Sequence, residues 1–278
     1  MNNVISFLSK GFSETIIRNL GIMPMFEIFF LIFVILLILT ALIFLIDIRL
    51  HARDKKTFLP NESVVSGSLV CGSYGFILAF LIVSMSSINQ KATEYVSDEV
   101  NSLVGIIRNS KNLDNASQIQ SAVQNYARYI VEKQWPYLES GDIGAAWRLS
   151  EESIIPLYQV IHDSKPQGKI QEGFYGYLLG SLNAVDKAHQ NRLMLADLHL
   201  SVPLWRGIIL MTFFVLWILV RMNPWGKPFS FISIIVPEIV ITLLLSLLIA
   251  LNYPFAGTMS VSKEVYYEWL NSFVRINS

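Results

Sequence analysis

The sequence has little charge for its length. Only 15% of its 278 residues are charged, against roughly 25% in an average soluble protein. Hydrophobic residues make up 53%, and the formal net charge at pH 7 is zero. This composition excludes an ordinary soluble domain and favours an integral membrane protein. The neutral balance creates no field that would attract nucleic acid, so we expect membrane lipid as a partner and no nucleic acid.

The sequence also has a single cysteine and lacks several common enzyme motifs. The single cysteine, Cys71, excludes an intrachain disulfide. The sequence contains no GxxxxGK, GxSxG or HExxH motif. Asp186 with His189 and Asp197 with His199 are metal-ligating residue types, but their spacing fits no compact site. We interpret them as ordinary surface pairs, and we expect no enzyme activity, no metal and no cofactor.

Four apolar runs are long enough to cross a bilayer, for which about 20 residues suffice. They occupy residues 22–46, 64–88, 204–222 and 229–251. The first run is too long for a signal peptide and lacks a small-residue cleavage site, so we interpret it as a retained span. A polar linker joins the first pair and the short NPWGKP turn joins the second pair. This pattern predicts two transmembrane hairpins.

The block between the hairpins is helical by its pattern. Apolar residues recur at helical spacing in ATEYVSDEVNSLVGIIRN, and no proline or glycine separates this stretch from the second run. The sequence therefore predicts one helix from Val64 to Asn109. Further helices are expected from Ser117 to Trp135, around Pro156 with an interruption there, and into the third run with Pro203 at the junction.

These patterns predict an all-α membrane protein. Four transmembrane helices form two hairpins, and a helical extramembrane domain lies between the second and third. The expected divisions are an N-terminal segment 1–21, hairpin 22–88, soluble domain 89–203, hairpin 204–251 and C-terminal segment 252–278.

The second run carries small residues on one helical face. Small faces allow helix backbones to approach closely in membranes. The residues that we expect to pack there are Gly67, Cys71, Gly72, Gly75 and Ala79.

Glu238 directly follows Pro237 inside the fourth run. A carboxylate inside a membrane is costly, which makes it a functional candidate in an ion path or a proton-linked step. The alternative is a structural carboxyl that is protonated or paired with Arg206 or Arg221.

The chain contains the segments YGFILAFLI, KQWP, SLNAVDKAHQNRLMLADLHLSVPLW and LNYPFAGTMSVS. In order and spacing these segments resemble the bestrophin-like domain family over about residues 25–265. Two features depart from the family pattern, namely LNY before Pro254, where an aspartate is common, and Glu238. Bestrophins are oligomeric ion channels whose second helix lines the pore. The resemblance therefore implies a homo-oligomer that conducts ions.

The same resemblance implies site residues on the second helix. Its candidates for a hydrophobic pore constriction are Phe76, Phe80, Val83 and Ser84, and the alternative is simple packing against lipid or protein. Glu94, Asp98 and Glu99 would form an acidic ring at a pore mouth, and the alternative is a solvated helix face. The alternative function is a non-conducting membrane scaffold or sensor whose residues 89–203 bind a partner protein.

Charge and resemblance disagree about orientation. The first linker contains Arg49, Arg53, Lys55 and Lys56, and the last turn contains Lys227. The positive-inside rule places both on the cytoplasmic side and the soluble domain outside. The bestrophin resemblance implies the opposite. We follow the charge rule, and we note that the basic linker is suited to anionic lipid.

Overall fold

A computed structural model describes residues 16–51, 61–164, 166, 168–222 and 228–277. Residues 16–22 are helical, and every other regular element in the described part of the chain is a helix. The longer helices are α1 (Met25–His51), α2 (Asn61–Ser110), α3 (Ala116–Tyr129), α4 (Trp135–Glu139), α5 (Ile143–His162), α6 (Lys169–Ala196), α7 (Val202–Met222), α8 (Pro228–Leu251) and α9 (Glu264–Asn277). A π-helical turn, Ile130–Gln134, joins α3 to α4.

The chain divides into two compact units. The first, the membrane unit, consists of residues 1–86 and 199–252. The second, the soluble unit, consists of residues 87–198 and 253–278. The expected C-terminal segment is thus grouped with the soluble unit.

Four helical segments of the described chain are long and apolar enough to cross a membrane. They are Met25–Arg49, Val65–Ser110, Val202–Met222 and Ile232–Leu251. The chain is therefore an integral membrane protein. Within the membrane unit α1 packs most extensively against α8 and also against α7. The most extensive helix contact in the membrane unit therefore joins the first span to the fourth. The predicted arrangement of neighbouring spans in two hairpins is not confirmed.

Helix α2 is continuous over 50 residues, which confirms the prediction of one helix from Val64 to Asn109. At 1.5 Å per residue it is about 75 Å long, whereas the hydrocarbon core of a bilayer is about 30 Å thick. Its C-terminal part therefore lies outside the membrane and contributes to the soluble unit.

The soluble unit has one apolar core built around Trp135. The indole ring makes edge contacts with Phe255 at 5.6 Å and with Tyr266 at 5.9 Å between ring centroids. Such aromatic pairs contribute about 0.5–1.5 kcal/mol beyond the burial of their area. The segment after α8 is consequently part of this core.

Two helices continue through prolines at which the sequence predicted an interruption or an end. Pro156 was expected to interrupt its helix, but α5 continues through it from Ile143 to His162. Its missing N–H leaves the carbonyl of Glu152 without a helical partner, and both residues are exposed, so water can satisfy that group. The helix also continues past Pro136, which lies in the first turn of α4, where the missing N–H of a proline is tolerated.

Candidate functional site

Helix α2 presents two different faces within the membrane unit. Four buried residues of α2 form one stripe along the helix, with successive spacings of seven, four and seven residues. They are Gly67, Tyr74, Leu78 and Met85. The Tyr74 hydroxyl hydrogen-bonds to the hydroxyl of Thr212 on α7. This stripe anchors α2 in the chain, and the remaining circumference of the helix is open.

The expected pore-lining residues lie mostly on the open face. Phe76, Phe80 and Val83 are 75%, 64% and 67% exposed, and their spacing of four and three residues aligns them along the helix. Ser84 is half-buried, and its hydroxyl donates to the carbonyl of Phe80 at 3.0 Å. The structure thus brings three of the four candidates into one exposed apolar stripe.

The small residues of α2 differ in their surroundings. A Cβ atom at Gly67 would lie 2.8 Å from Sδ of Met222 and 2.9 Å from Cγ2 of Ile218. A Cβ at Gly72 or Gly75 would meet nothing within 4 Å. The other two packing candidates, Cys71 and Ala79, are half-buried and exposed, respectively. Of the three glycines among these packing candidates, Gly67 is therefore the one with a close helix contact inside the described chain.

The close contact at Gly67 gives a testable contrast between two glycines of the membrane unit. Replacing Gly67 with leucine is expected to destabilise this unit by about 1–3 kcal/mol, because the side chain overpacks the α2–α7 contact. Gly207→Leu is the matched control, since Gly207 is exposed on α7 and a Cβ there would meet nothing within 4 Å. Thermal melting of both variants in detergent measures the difference. Equal melting temperatures would contradict the close contact at Gly67.

The three acidic residues that we expected at a pore mouth differ in their exposure. Glu94 and Asp98 are exposed, as a solvated or pore-facing carboxylate must be. Glu99 is fully buried, so the expectation that it joins them at a pore mouth is wrong. The reason is an ion pair in which Nε of Arg192 donates to Oε2 of Glu99 at 2.9 Å.

Glu99 belongs to a buried polar cluster inside the soluble unit. The Tyr126 hydroxyl donates to Oε1 of Glu99 at 2.7 Å, and Nη2 of Arg192 donates to Oε1 of Gln134 at 2.9 Å. His189 completes the cluster, and all five side chains are buried. The guanidinium carbon of Arg192 also lies 5.5 Å from the ring centroid of Trp135, a cation–π distance. Such a cluster fixes the relative positions of α2, α3 and α6.

His189 lies among several polar groups of the cluster. Its Nδ1 is 2.9 Å from the Tyr126 hydroxyl, 3.1 Å from Nη2 of Arg192 and 3.4 Å from Oε1 of Glu99. Its Nε2 lies 2.8 Å from the hydroxyl of Ser150. Both ring nitrogens therefore have polar partners, and Arg192 forms the ion pair with Glu99.

Charge and burial set the ionisation of this cluster. Burial by itself raises the pKa of Glu99, but the charge of Arg192 and the hydrogen bonds that the carboxylate accepts outweigh it and lower the pKa to about 2. Burial and the adjacent Glu99 carboxylate raise the pKa of Tyr126 well above its ordinary value. The carboxylate therefore stays charged at neutral pH and the phenol stays protonated.

The sequence pattern did not identify Arg192 as part of this cluster. It indicated that His189 is a surface residue paired with Asp186. The surface interpretation is wrong for His189, which is fully buried, whereas Asp197 and His199 are exposed. The available signal was helical spacing, because His189 and Arg192 continue the apolar stripe of α6. That stripe is formed by Leu178, Leu182, Val185, Leu193 and Ala196.

Glu238 is fully buried between α8 and α1. The hydroxyl of Thr40 donates to its Oε1 at 3.3 Å. Arg221 instead donates to Asp47 at 2.8 Å, and Arg206 is exposed. The alternative in which Arg206 or Arg221 pairs with Glu238 is therefore wrong, whereas the alternative of a protonated carboxyl is not affected. The arginine charge of Arg221 is already balanced by a carboxylate on α1.

No group of three or more histidine, cysteine, aspartate or glutamate side chains within the described ranges is placed to hold a metal ion.

Comparisons with known proteins agree with the helical architecture. Residues 30–266 match the sequence profile of the family described as Bestrophin-like domain. The fold is similar to that of a bacterial bestrophin homologue from Klebsiella pneumoniae that carries a leucine-to-threonine mutation. The TM-score is 0.65 at 13% sequence identity, and the similarity covers 90% of this chain and 99% of that chain. No curated protein sequence matches the chain. At this identity the structural likeness concerns the fold, whereas the family profile spans most of the sequence. The chain therefore belongs to the bestrophin-like domain family.

Proposed function

We propose that the chain is one subunit of a homo-oligomeric, bestrophin-like ion channel whose pore is lined by α2. The observation that carries this proposal is the exposed stripe of Phe76, Phe80 and Val83. It lies on a span in which only 17% of the apolar window is buried within the chain, compared with 50% for the span in α8. Most of this span of α2 is therefore not covered by the rest of its own subunit.

Small residues beside the stripe favour a second copy as the neighbour. Gly72 and Gly75 have open space around them, and Ala79 is exposed. Contact with lipid does not require small residues, whereas close approach of two helices does. In a ring of subunits these positions would let neighbouring α2 helices pack, with the aromatic stripe turned towards the axis.

Two exposed acidic residues lie on the same face of α2 as the stripe of Phe76, Phe80 and Val83. Glu94 and Asp98 follow Phe76 and Phe80 by 18 residues, which is about five turns of an ideal α-helix. A ring of such carboxylates near the pore mouth attracts cations, so we propose a preference for cations. In the orientation that the basic linker favours, these carboxylates lie on the extracytoplasmic side.

The proposal is tested by conduction through purified protein in a planar bilayer. Alanine at Phe76 and Phe80 together is expected to raise the current severalfold, because it removes the two rings that narrow and dewet the pore. Phe30→Ala is the matched control, since Phe30 is 60% exposed on α1, outside the proposed pore.

Two results would oppose the proposal. The first is a protein that is monomeric or carries no current. The second is a double variant whose current equals that of the wild type and of the Phe30→Ala control. Either result would favour the alternative of a membrane scaffold or sensor that binds a partner protein through residues 89–203.

A further inference from the structure

Glu238 lies inside the apolar span Ile232–Leu251. At 1.5 Å per residue it is about 9 Å from the first residue of this span and about 20 Å from the last. The hydrocarbon core is about 30 Å thick, so a side chain at this position lies within the core. The carboxyl group is also fully buried by protein.

Within the part of the chain that the structure describes, the surroundings of the carboxyl group are polar but contain no cation. Thr40 donates to Oε1 at 3.3 Å, and Oε2 has no hydrogen-bond partner. Two further hydroxyls on the same face of α8 are turned towards its backbone. Thr242 donates to the carbonyl of Glu238 and Ser246 donates to that of Thr242, each at 2.7 Å. Among the described residues, Thr40 is therefore the one side-chain donor directed at the carboxyl group.

The helices packed against α8 supply no compensating charge. The charged side chains described on α1 and α7 are Glu27, Asp47, Arg49, Arg206 and Arg221. None of them forms an ion pair or hydrogen bond with Glu238, and Arg221 pairs with Asp47. An ionised carboxylate here would be desolvated and unpaired, which costs several kcal/mol. The neutral acid avoids that cost.

We propose that Glu238 is a proton-binding site inside the membrane. It holds one proton at neutral pH. Oε1 accepts the hydrogen bond from Thr40, and the proton resides on Oε2. This inference does not rest on the proposed channel function, since a protein that carries no current would leave it intact.

Infrared spectroscopy of the full chain in liposomes tests the site directly. The wild type at neutral pH is expected to show the carbonyl band of a protonated carboxyl group. Glu238→Gln should lack this band. Glutamine has the same shape and keeps an oxygen for Thr40, so the variant retains the packing of α1 on α8. Thr40→Val should move the band without removing it, because only the hydrogen bond to the carbonyl oxygen is lost.

Two outcomes would overturn the proposal. Wild-type and Glu238→Gln spectra that agree in the protonated-carboxyl region would show that Glu238 is ionised. A band at the same position in Thr40→Val and in the wild type would show that Thr40 does not donate to this carboxyl group. Size-exclusion elution of the two variants, compared with the wild type, confirms that each protein is folded.

Discussion

Replacing Arg192 with methionine is expected to destabilise the soluble unit by about 3–5 kcal/mol. The substitution keeps most of the aliphatic volume but removes the arginine that forms an ion pair with Glu99. The buried carboxylate then keeps the hydrogen bond from Tyr126 and the contact of its Oε1 with Nδ1 of His189 at 3.4 Å, without the arginine charge. The loss should appear as a large drop in melting temperature in detergent. Faster amide hydrogen exchange in α3 and α6 should accompany it.

Two further variants separate charge from packing. Arg148→Met is the matched control because Arg148 is exposed, and exposed charges typically contribute at most about 1 kcal/mol. Arg192→Met combined with Glu99→Gln should be more stable than Arg192→Met alone, because the second change removes the unpaired charge. A single variant as stable as the control would contradict the role of the ion pair.

Acid is expected to weaken the soluble unit through Glu99. The pKa of this carboxyl is lowered from an ordinary 4.5 to about 2 in the folded protein. A lowered folded-state pKa stabilises the fold at pH values above the ordinary pKa. That stabilisation is lost as the pH falls from 4.5 towards 2. The difference corresponds to about 3 kcal/mol at neutral pH.

Melting temperatures measured between pH 7 and pH 2 check this expectation. Other carboxylates also titrate in this range, so the informative quantity is the difference between the wild type and Glu99→Gln. The stability advantage of the wild type should be constant above pH 5 and should shrink below it. An advantage that does not change with pH would mean that Glu99 titrates normally in the folded chain.

The spans could be predicted from the sequence because uncharged runs of this length have few alternatives to a transmembrane helix. Continuity of α2 was predictable for a similar reason, since no proline or glycine interrupts it between the apolar run and the soluble block. The pairing of spans was not predictable. In lipid, all apolar helix faces are similar, and the contact between α1 and α8 depends on shape.

The partners of the buried charges were also beyond sequence reasoning. Glu99 and Arg192 are 93 residues apart, and Thr40 and Glu238 are 198 residues apart. A carboxylate on a polar helix is usually solvated, so nothing local distinguishes Glu99 from Glu94. The position of Arg192 on an apolar stripe was the one signal that pointed to burial.

The participation of Phe255 and Tyr266 in the core around Trp135 has a consequence for biosynthesis. Residues 87–198 leave the ribosome before α7 and α8, whereas residues 253–278 leave it after them. The aromatic face of Trp135 therefore stays uncovered while two membrane spans are made and inserted. Exposed apolar surface at that stage favours aggregation and is a target for chaperones. The soluble unit can complete its core only after translation has passed the last span.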